Sequence, residues 1–221
     1  MKFHPQSDAF AAPRQQMVAM QLRARGISDK RVLDAFLRVP RHEFIPAAYR
    51  ESAYEDHPLP IGDGQTISQP YIVAIMLEAL ELKPTDKVLE VGTGSGYVTA
   101  LLAELTAQVY SIERHPALAA EAQRVLTTLG YTNVEIVIGD GTAGLPAHAP
   151  YDAIIVSAAT SELPPALVSQ LREGGRMIIP VGPADTQQLQ LIRMQNGHPQ
   201  ISLREACRFV PLISAENDRG D

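Results

Sequence analysis

Gly92-Thr93-Gly94-Ser95-Gly96 places three glycines at alternate positions between a short apolar run and a helical pattern. Without Cβ atoms such a turn folds tightly and lets the backbone approach a bound ligand. Taken alone it reads equally as a plain strand-to-helix connection. Two acids shift the weighing. Glu113 comes 21 positions after Gly92, and Asp140 stands in Gly139-Asp140-Gly141. Each closes an apolar run, at the strand end where open α/β sheets bind ligands. The first could accept both hydroxyls of an adenosine ribose and the second an adenine amino group, the plain alternative for Glu113 being an exposed strand-end charge. Gly-x-Gly-x-Gly is not the dinucleotide spacing Gly-x-Gly-x-x-Gly, no Gly-Lys-Ser/Thr follows, and the turn holds no Lys or Arg. A sulfonium ligand without phosphate suits it better than a pyrophosphate.

The elements that must position these residues are legible as periodicities. Lys87–Val91 reads as a buried strand and Tyr97–Leu105 as a helix, followed by a strand over 108–112 and a helix over about 116–129. Further strands are expected at 134–138, 153–156 and 177–181, with a helix over 163–171 before the last. This alternation implies right-handed crossovers and an α/β, doubly wound, mostly parallel sheet covered on both faces. Runs at 189–194 and 208–212 would add carboxyl-terminal strands, one of them open to an antiparallel reading. Before Lys83-Pro84 the texture is helical and loop-rich. Helices are expected over 29–38 and 71–82, separated by a breaker-rich stretch from Pro40 to Pro70 that reads as a structured functional loop. The expected organisation is one domain over 1–221, with an amino-terminal helical and loop region (1–82), an α/β core (83–182) and carboxyl-terminal strands and tail (183–221).

Composition narrows the functional classes. The 221 residues carry 19 Lys plus Arg against 25 Asp plus Glu, a net charge of −6 that offers no general attraction to nucleic acid or anionic membranes. The single cysteine, Cys207, excludes an intrachain disulfide, and the six histidines lack metal-ligand spacing, so no metal is expected. The first residues lack the apolar core of a signal peptide and no run is long enough for a membrane span, so the expectation is a cytoplasmic protein.

Glu90-Val91-Gly92-Thr93-Gly94-Ser95-Gly96, with Glu113 and Asp140 at later strand ends, resembles the first motif of S-adenosylmethionine-dependent methyltransferases. Leu59-Pro60-Ile61-Gly62-Asp63-Gly64-Gln65-Thr66-Ile67-Ser68-Gln69-Pro70-Tyr71 resembles the loop before the cofactor fold in protein-L-isoaspartate O-methyltransferases. Val39-Pro40-Arg41, Tyr151 to Ala158, Gly174-Gly175-Arg176 and Arg208-Phe209-Val210-Pro211-Leu212 add ordered matches, so the resemblance covers roughly 25–213. It implies a Rossmann-like methyltransferase fold and methyl transfer from S-adenosyl-L-methionine, leaving S-adenosyl-L-homocysteine. The acceptor it implies is the carboxylate of L-isoaspartyl residues in damaged proteins and peptides, with D-aspartyl residues as an open alternative and repair through a succinimide. The expectation is a monomer, with no nucleic-acid partner and no membrane.

By resemblance, Ser68 is the active-site hydroxyl. Cofactor contacts fall on Thr66, Ile67, Ser68, Glu90, Gly92, Thr93, Gly94, Gly96, Glu113, Arg114, Asp140 and Gly141, and substrate contacts on Thr66, Ser68 and Val210. Read from the residues alone, Ser68 before Gln69-Pro70 is a helix-start cap. Arg41 and Arg208 read either as partners of a carboxylate or peptide end, or as solvated surface charges. Thr142, Val98 and Asp63 depart from the family pattern without removing an expected chemical group. The rival classes are a methyltransferase for nucleic acid or a small molecule, a cofactor-binding interaction module without catalysis, and a nicotinamide oxidoreductase. Ser157-Ala158-Ala159-Thr160 lacks the Asn-Pro-Pro-Tyr pattern of the first, intact Thr66, Ser68, Glu113 and Asp140 weigh against the second, and the glycine spacing weighs against the third.

Overall fold

The computed structural model describes residues 9–183 and 185–213. The first residues, read above for a signal peptide, and the tail from 214 onward lie outside them. Helix α1 (Ala11–Gln16) continues through a π-helical stretch, Met17–Leu22, into a 3₁₀ turn, Arg23–Arg25. Helix α2 (Lys30–Arg38) starts where the Asp29 carboxylate accepts the amides of Arg31 and Val32, and stops at Val39 before Pro40. The stretch from Pro40 to Pro70 is structured, as expected. It holds 3₁₀ turns at Arg41–Phe44 and Ala47–Ser52, then an antiparallel hairpin, β1 (Leu59–Gly62) and β2 (Gln65–Ile67). Asp63 (φ 47°) and Gly64 (φ 68°) form its tip. An Asp-Gly pair suits a tight hairpin with two positive φ angles.

Helix α3 (Pro70–Ala79) leads into β3 (Lys87–Val91), α4 (Tyr97–Leu105), β4 (Gln108–Glu113), α5 (Pro116–Thr128), β5 (Val134–Ile138), β6 (Tyr151–Val156), α6 (Pro165–Val168), β7 (Leu171–Val181), β8 (Gln187–Gln195) and β9 (His198–Cys207). The seven-stranded sheet runs β5-β4-β3-β6-β7-β8-β9. The five strands from β5 to β7 are parallel, while β8 and β9 are each antiparallel to their predecessor. Side chains alternate between two cores. Val88, Ala153, Ile155 and Ile178 join the core under α2 to α5, and Leu89, Val91, Ile154, Val156 and Ile179 join the one holding Leu167 of α6. Both faces are therefore covered, which the near-continuous apolar runs require.

Three expectations are corrected. The helix expected over 163–171 is only Pro165–Val168, because the chain becomes extended at Leu171, and an irregularity at Gly174-Gly175 carries it to Arg176 in the β6 ladder. Both added strands are antiparallel, and the outer one is β9, whose exposed residues carry no burial pattern to read. Arg208–Leu212 is not a strand of the sheet. It is a strap that folds back over the strand ends, where only Pro211 makes an isolated bridge, to Ala159.

Candidate active site

The chain leaves β3 toward β4 and β5 on one side, then returns to β6 on the other. The reversal opens a crevice at the carboxyl ends of β3 and β6, the place where doubly wound sheets bind ligands. A cavity of about 830 Å³, partly open to solvent, lies there. Its walls come from the glycine turn after β3, Glu113-Arg114-His115 after β4, Gly141 after β5 and Ser157-Ala158 after β6. The hairpin end, Gln65 to Ser68, and the strap, Val210 to Ile213, complete it.

The turn is held open by its glycines. Gly92, Gly94 and Gly96 take φ of 91°, 53° and 87°, a region other L residues rarely adopt. A Cβ on Gly141 would come within 2.5 Å of Val91, so the chain after β5 passes too close to β3 for any side chain.

Glu113 is 5% exposed, which removes the surface-charge reading. Its Oε2 accepts the Gly94 amide at 2.8 Å and its Oε1 the His115 amide at 3.0 Å. A carboxylate offers about four acceptor positions, so these two bonds orient it and leave room for two hydroxyls. Asp140 does not line the cavity. Its Oδ1 accepts both the Thr142 amide (2.8 Å) and the Thr142 hydroxyl (2.7 Å), so Thr142 tethers this acid. Arg114 and Val98 are lining residues.

Glu90 and Gly96 also lie off the cavity. Glu90 is fully buried behind the turn, where its Oε2 accepts Thr99 Oγ1 at 2.5 Å and Ser111 Oγ at 2.6 Å. Because Ser111 donates to Glu90, Thr93 Oγ1, 2.6 Å away, is the donor to Ser111. Thr93 does line the cavity, so this hydroxyl chain ties the cavity wall to a buried acid. Burial pushes Glu90 up to about 8; the two hydroxyl bonds oppose that rise, and the negative charge of Glu113 adds to it.

Ser68 lies between β2 and α3 and lines the cavity with Thr66 and Ile67. It caps nothing. The residue preceding α3 is Gln69, and the α3 amide of Tyr71 is capped at 3.1 Å by Asp56, a carboxylate 15 positions upstream. The Ser68 hydroxyl makes no hydrogen bond among the described residues, which leaves it available to a ligand. Val210 borders the same space, its carbonyl taken by the Ala159 amide at 2.8 Å. Gln187, which sequence reading missed, holds the preceding residue: its side-chain amide accepts from Phe209 N (2.6 Å) and donates to Phe209 O (3.1 Å).

Arg41 is not a surface charge. It is 0% exposed, with Nε donating to Ala53 O and Nη2 to Ser68 O, both at 2.8 Å. Burial brings its pKa down to about 10, so it remains charged at neutral pH. Arg208 does not line the cavity.

The residues present fit S-adenosylmethionine: a glycine turn free of basic side chains, an oriented buried carboxylate one strand away, and a separate hydroxyl-bearing wall. Fold and crevice together define the class, a Rossmann-like methyltransferase. Residues 13–217 match the family of protein-L-isoaspartate(D-aspartate) O-methyltransferases. A protein-L-isoaspartate O-methyltransferase of Koribacter versatilis is 56% identical over 213 residues, 96% of either chain, and one from Methanoculleus marisnigri is 52% identical over 217 residues, 98% of either chain. Among solved structures, a Plasmodium falciparum protein described as a member of the same family, in complex with S-adenosyl-L-homocysteine, superposes with a TM-score of 0.80 at 30% identity. That match covers 90% of this chain and 98% of that one. Another protein-L-isoaspartate O-methyltransferase gives 0.82 at 32% identity, over 90% of this chain and 65% of a longer one. The chain belongs to the protein-L-isoaspartate O-methyltransferase family.

Proposed function

We propose that this protein transfers the methyl group of S-adenosyl-L-methionine to the free carboxylate of L-isoaspartyl residues, the α-carboxylate left pendant where the backbone runs through the side chain, and to that of D-aspartyl residues, in damaged proteins, initiating their repair. The observation that carries the reading is the meeting of two walls in one crevice: Glu113 and the glycine turn on one side, the uncommitted Ser68 hydroxyl and Val210 on the other.

Bound S-adenosylmethionine supplies an electrophilic methyl on a sulfonium. Glu113 would accept its ribose hydroxyls, and the amides of the glycine turn, with Thr93 and Gly141, would shape the space around it. Asp140, tethered by Thr142 one residue before the lining Gly141, would be the acid on the adenine side, acting from behind the cavity wall. Ser68 donates its hydroxyl to one acceptor oxygen, while the Val210 backbone, with Thr66, lines up the isoaspartyl chain.

No general base is required, since a carboxylate with an ordinary pKa near ~4 is already anionic. The protein therefore contributes orientation and exclusion of water, which in favourable cases supplies up to about 7–11 kcal/mol. A single hydroxyl, rather than a charged partner, suits this step, because a strong anion clamp would stabilise the reactant more than the transition state. In the resulting methyl ester the neighbouring backbone nitrogen attacks the ester carbonyl and expels methanol, which an unesterified carboxylate cannot match because it would have to lose oxide, and the ring closes to a succinimide off the enzyme.

The net charge of −6 supports a protein without a nucleic-acid partner, and among the described residues no helix is long and apolar enough to cross a membrane. We read it as a cytoplasmic monomer of one domain. The decisive experiment compares twin peptides. Labelled methyl should enter the isoaspartyl form as a base-labile ester and spare the normal aspartyl form; equal labelling of both refutes the assignment.

A further inference from the structure

Arg41 is a wholly buried cation with no carboxylate partner among the described residues. A charge so placed is costly unless its surroundings require it. Its contacts join three parts of the chain. Ala53 O fixes the guanidinium at Nε, and Ser68 O takes Nη2. The plane lies 4.9 Å from the ring centroid of Tyr97, the first residue of α4 and so the first after the glycine turn. Arg41 Nη1 and the Tyr97 hydroxyl are both buried without a hydrogen-bond partner, so the polar capacity left over sits between Arg41 and the cofactor turn. Arg41 itself does not line the cavity, whereas Ser68 and Tyr97 both do.

We propose that Arg41 is a positioning residue for methyl transfer: pinned at Ala53, it holds the Ser68 carbonyl and thereby sets the Ser68 hydroxyl relative to the cofactor turn, against which it packs through Tyr97. This rests on the reading of Ser68 as the acceptor-side hydroxyl. The planar fork explains why arginine serves here. Two donors at fixed separation grip two carbonyls at once, and a lysine ammonium cannot reproduce that spacing. Asp56 clamps the next residues, accepting Gln69 Nε2 at 2.8 Å and Tyr71 N. The peptide that leaves Ser68 is thus held at its carbonyl by Arg41, and the residues just after it by Asp56.

A double-mutant cycle tests the proposal, with an isoaspartyl peptide as acceptor, kcat and KM measured for each protein, and S-adenosylhomocysteine affinity and melting temperature as controls. Arg41→Lys should lower kcat by about 10- to 100-fold, the scale expected for a small misplacement of a reacting group. S-adenosylhomocysteine affinity should stay within about twofold, since no Arg41 atom borders the cavity. In the Ser68→Ala background the same substitution should have little further effect on kcat, because residues acting through one another are not additive. An equal loss of kcat in both backgrounds overturns the proposal, as does a normal kcat in Arg41→Lys. Ser68→Ala with wild-type kcat refutes instead the reading of Ser68, whatever Arg41 does. If Arg41→Lys does not fold, Arg41→Gln replaces it in the cycle; failure of both to fold overturns the proposal by making Arg41 a determinant of the fold itself.

Discussion

At the residue scale, the site separates groups that touch a ligand from groups that hold them. Glu113 belongs to the first kind. Hydrogen bonds to a charged group contribute about 1.5–3 kcal/mol, so Glu113→Ala should weaken S-adenosylhomocysteine binding by about 10- to 100-fold in a calorimetric titration. Unchanged affinity would remove its ribose role. Glu90 belongs to the second kind, and its buried carboxyl leaves a signature in pH. Its folded value, raised to about 8 from an ordinary 4.5, means that the native state keeps a proton the unfolded chain releases. Its contribution to stability is therefore whole below pH 4.5 and is lost as pH rises toward 8, at no more than about 1.4 kcal/mol per pH unit. Denaturant melts of Glu90→Gln should gain on wild type steadily between pH 5 and pH 8.5; a difference that does not vary with pH would show Glu90 to be unperturbed. Glycines and strand-end acids are legible in a sequence because their chemistry is local to a turn. Arg41 was not, since its partners are carbonyls 12 and 27 positions away, and neither has a side-chain signature.

Among the elements, those buried on both faces were readable. Strand β3 and helix α4 run over the residues their apolar spacing marks, because at the centre of a covered parallel sheet every strand side chain meets a core. Readability failed where burial fails. Strand β9 is exposed almost throughout, and its pairing with β8 rests on the backbone ladder, with Gln188 Nε2 donating to Arg204 O and Ser202 Oγ to Leu191 O beside it. The strap after it was mistaken for a strand because Phe209, Val210 and Leu212 have strand-like chemistry. They serve the site instead, and Gln187 makes the difference by gripping both polar groups of Phe209. Gln187→Ala should loosen the strap next to Val210. Two lost bonds, each worth about 1 kcal/mol net, predict a destabilisation of about 1–3 kcal/mol and a severalfold rise in KM for an isoaspartyl peptide. A KM equal to wild type would detach the strap from acceptor binding.

For the whole molecule, the crevice ties together regions far apart in the chain. Its walls come from the amino-terminal hairpin, the strand ends of the sheet and the carboxyl-terminal strap. One of the two apolar cores runs without a break from Met17 through the helices to Leu191, so these regions have no separate interiors in which to fold independently. Thermal unfolding should then be one cooperative transition, and a ligand in the crevice should stabilise all of it. S-adenosylhomocysteine at 100 times its Kd should add about 2.7 kcal/mol by mass action. Because the hairpin and strap are surface segments held by few bonds, they open more readily than the sheet and stand to gain local protection beyond this global term. Hydrogen exchange should show slowed amides at 66–68 and 209–213 as well as at 92–96 when the ligand binds. Protection confined to the glycine turn, with hairpin and strap exchanging as before, would mean that the cofactor and acceptor walls do not form one site.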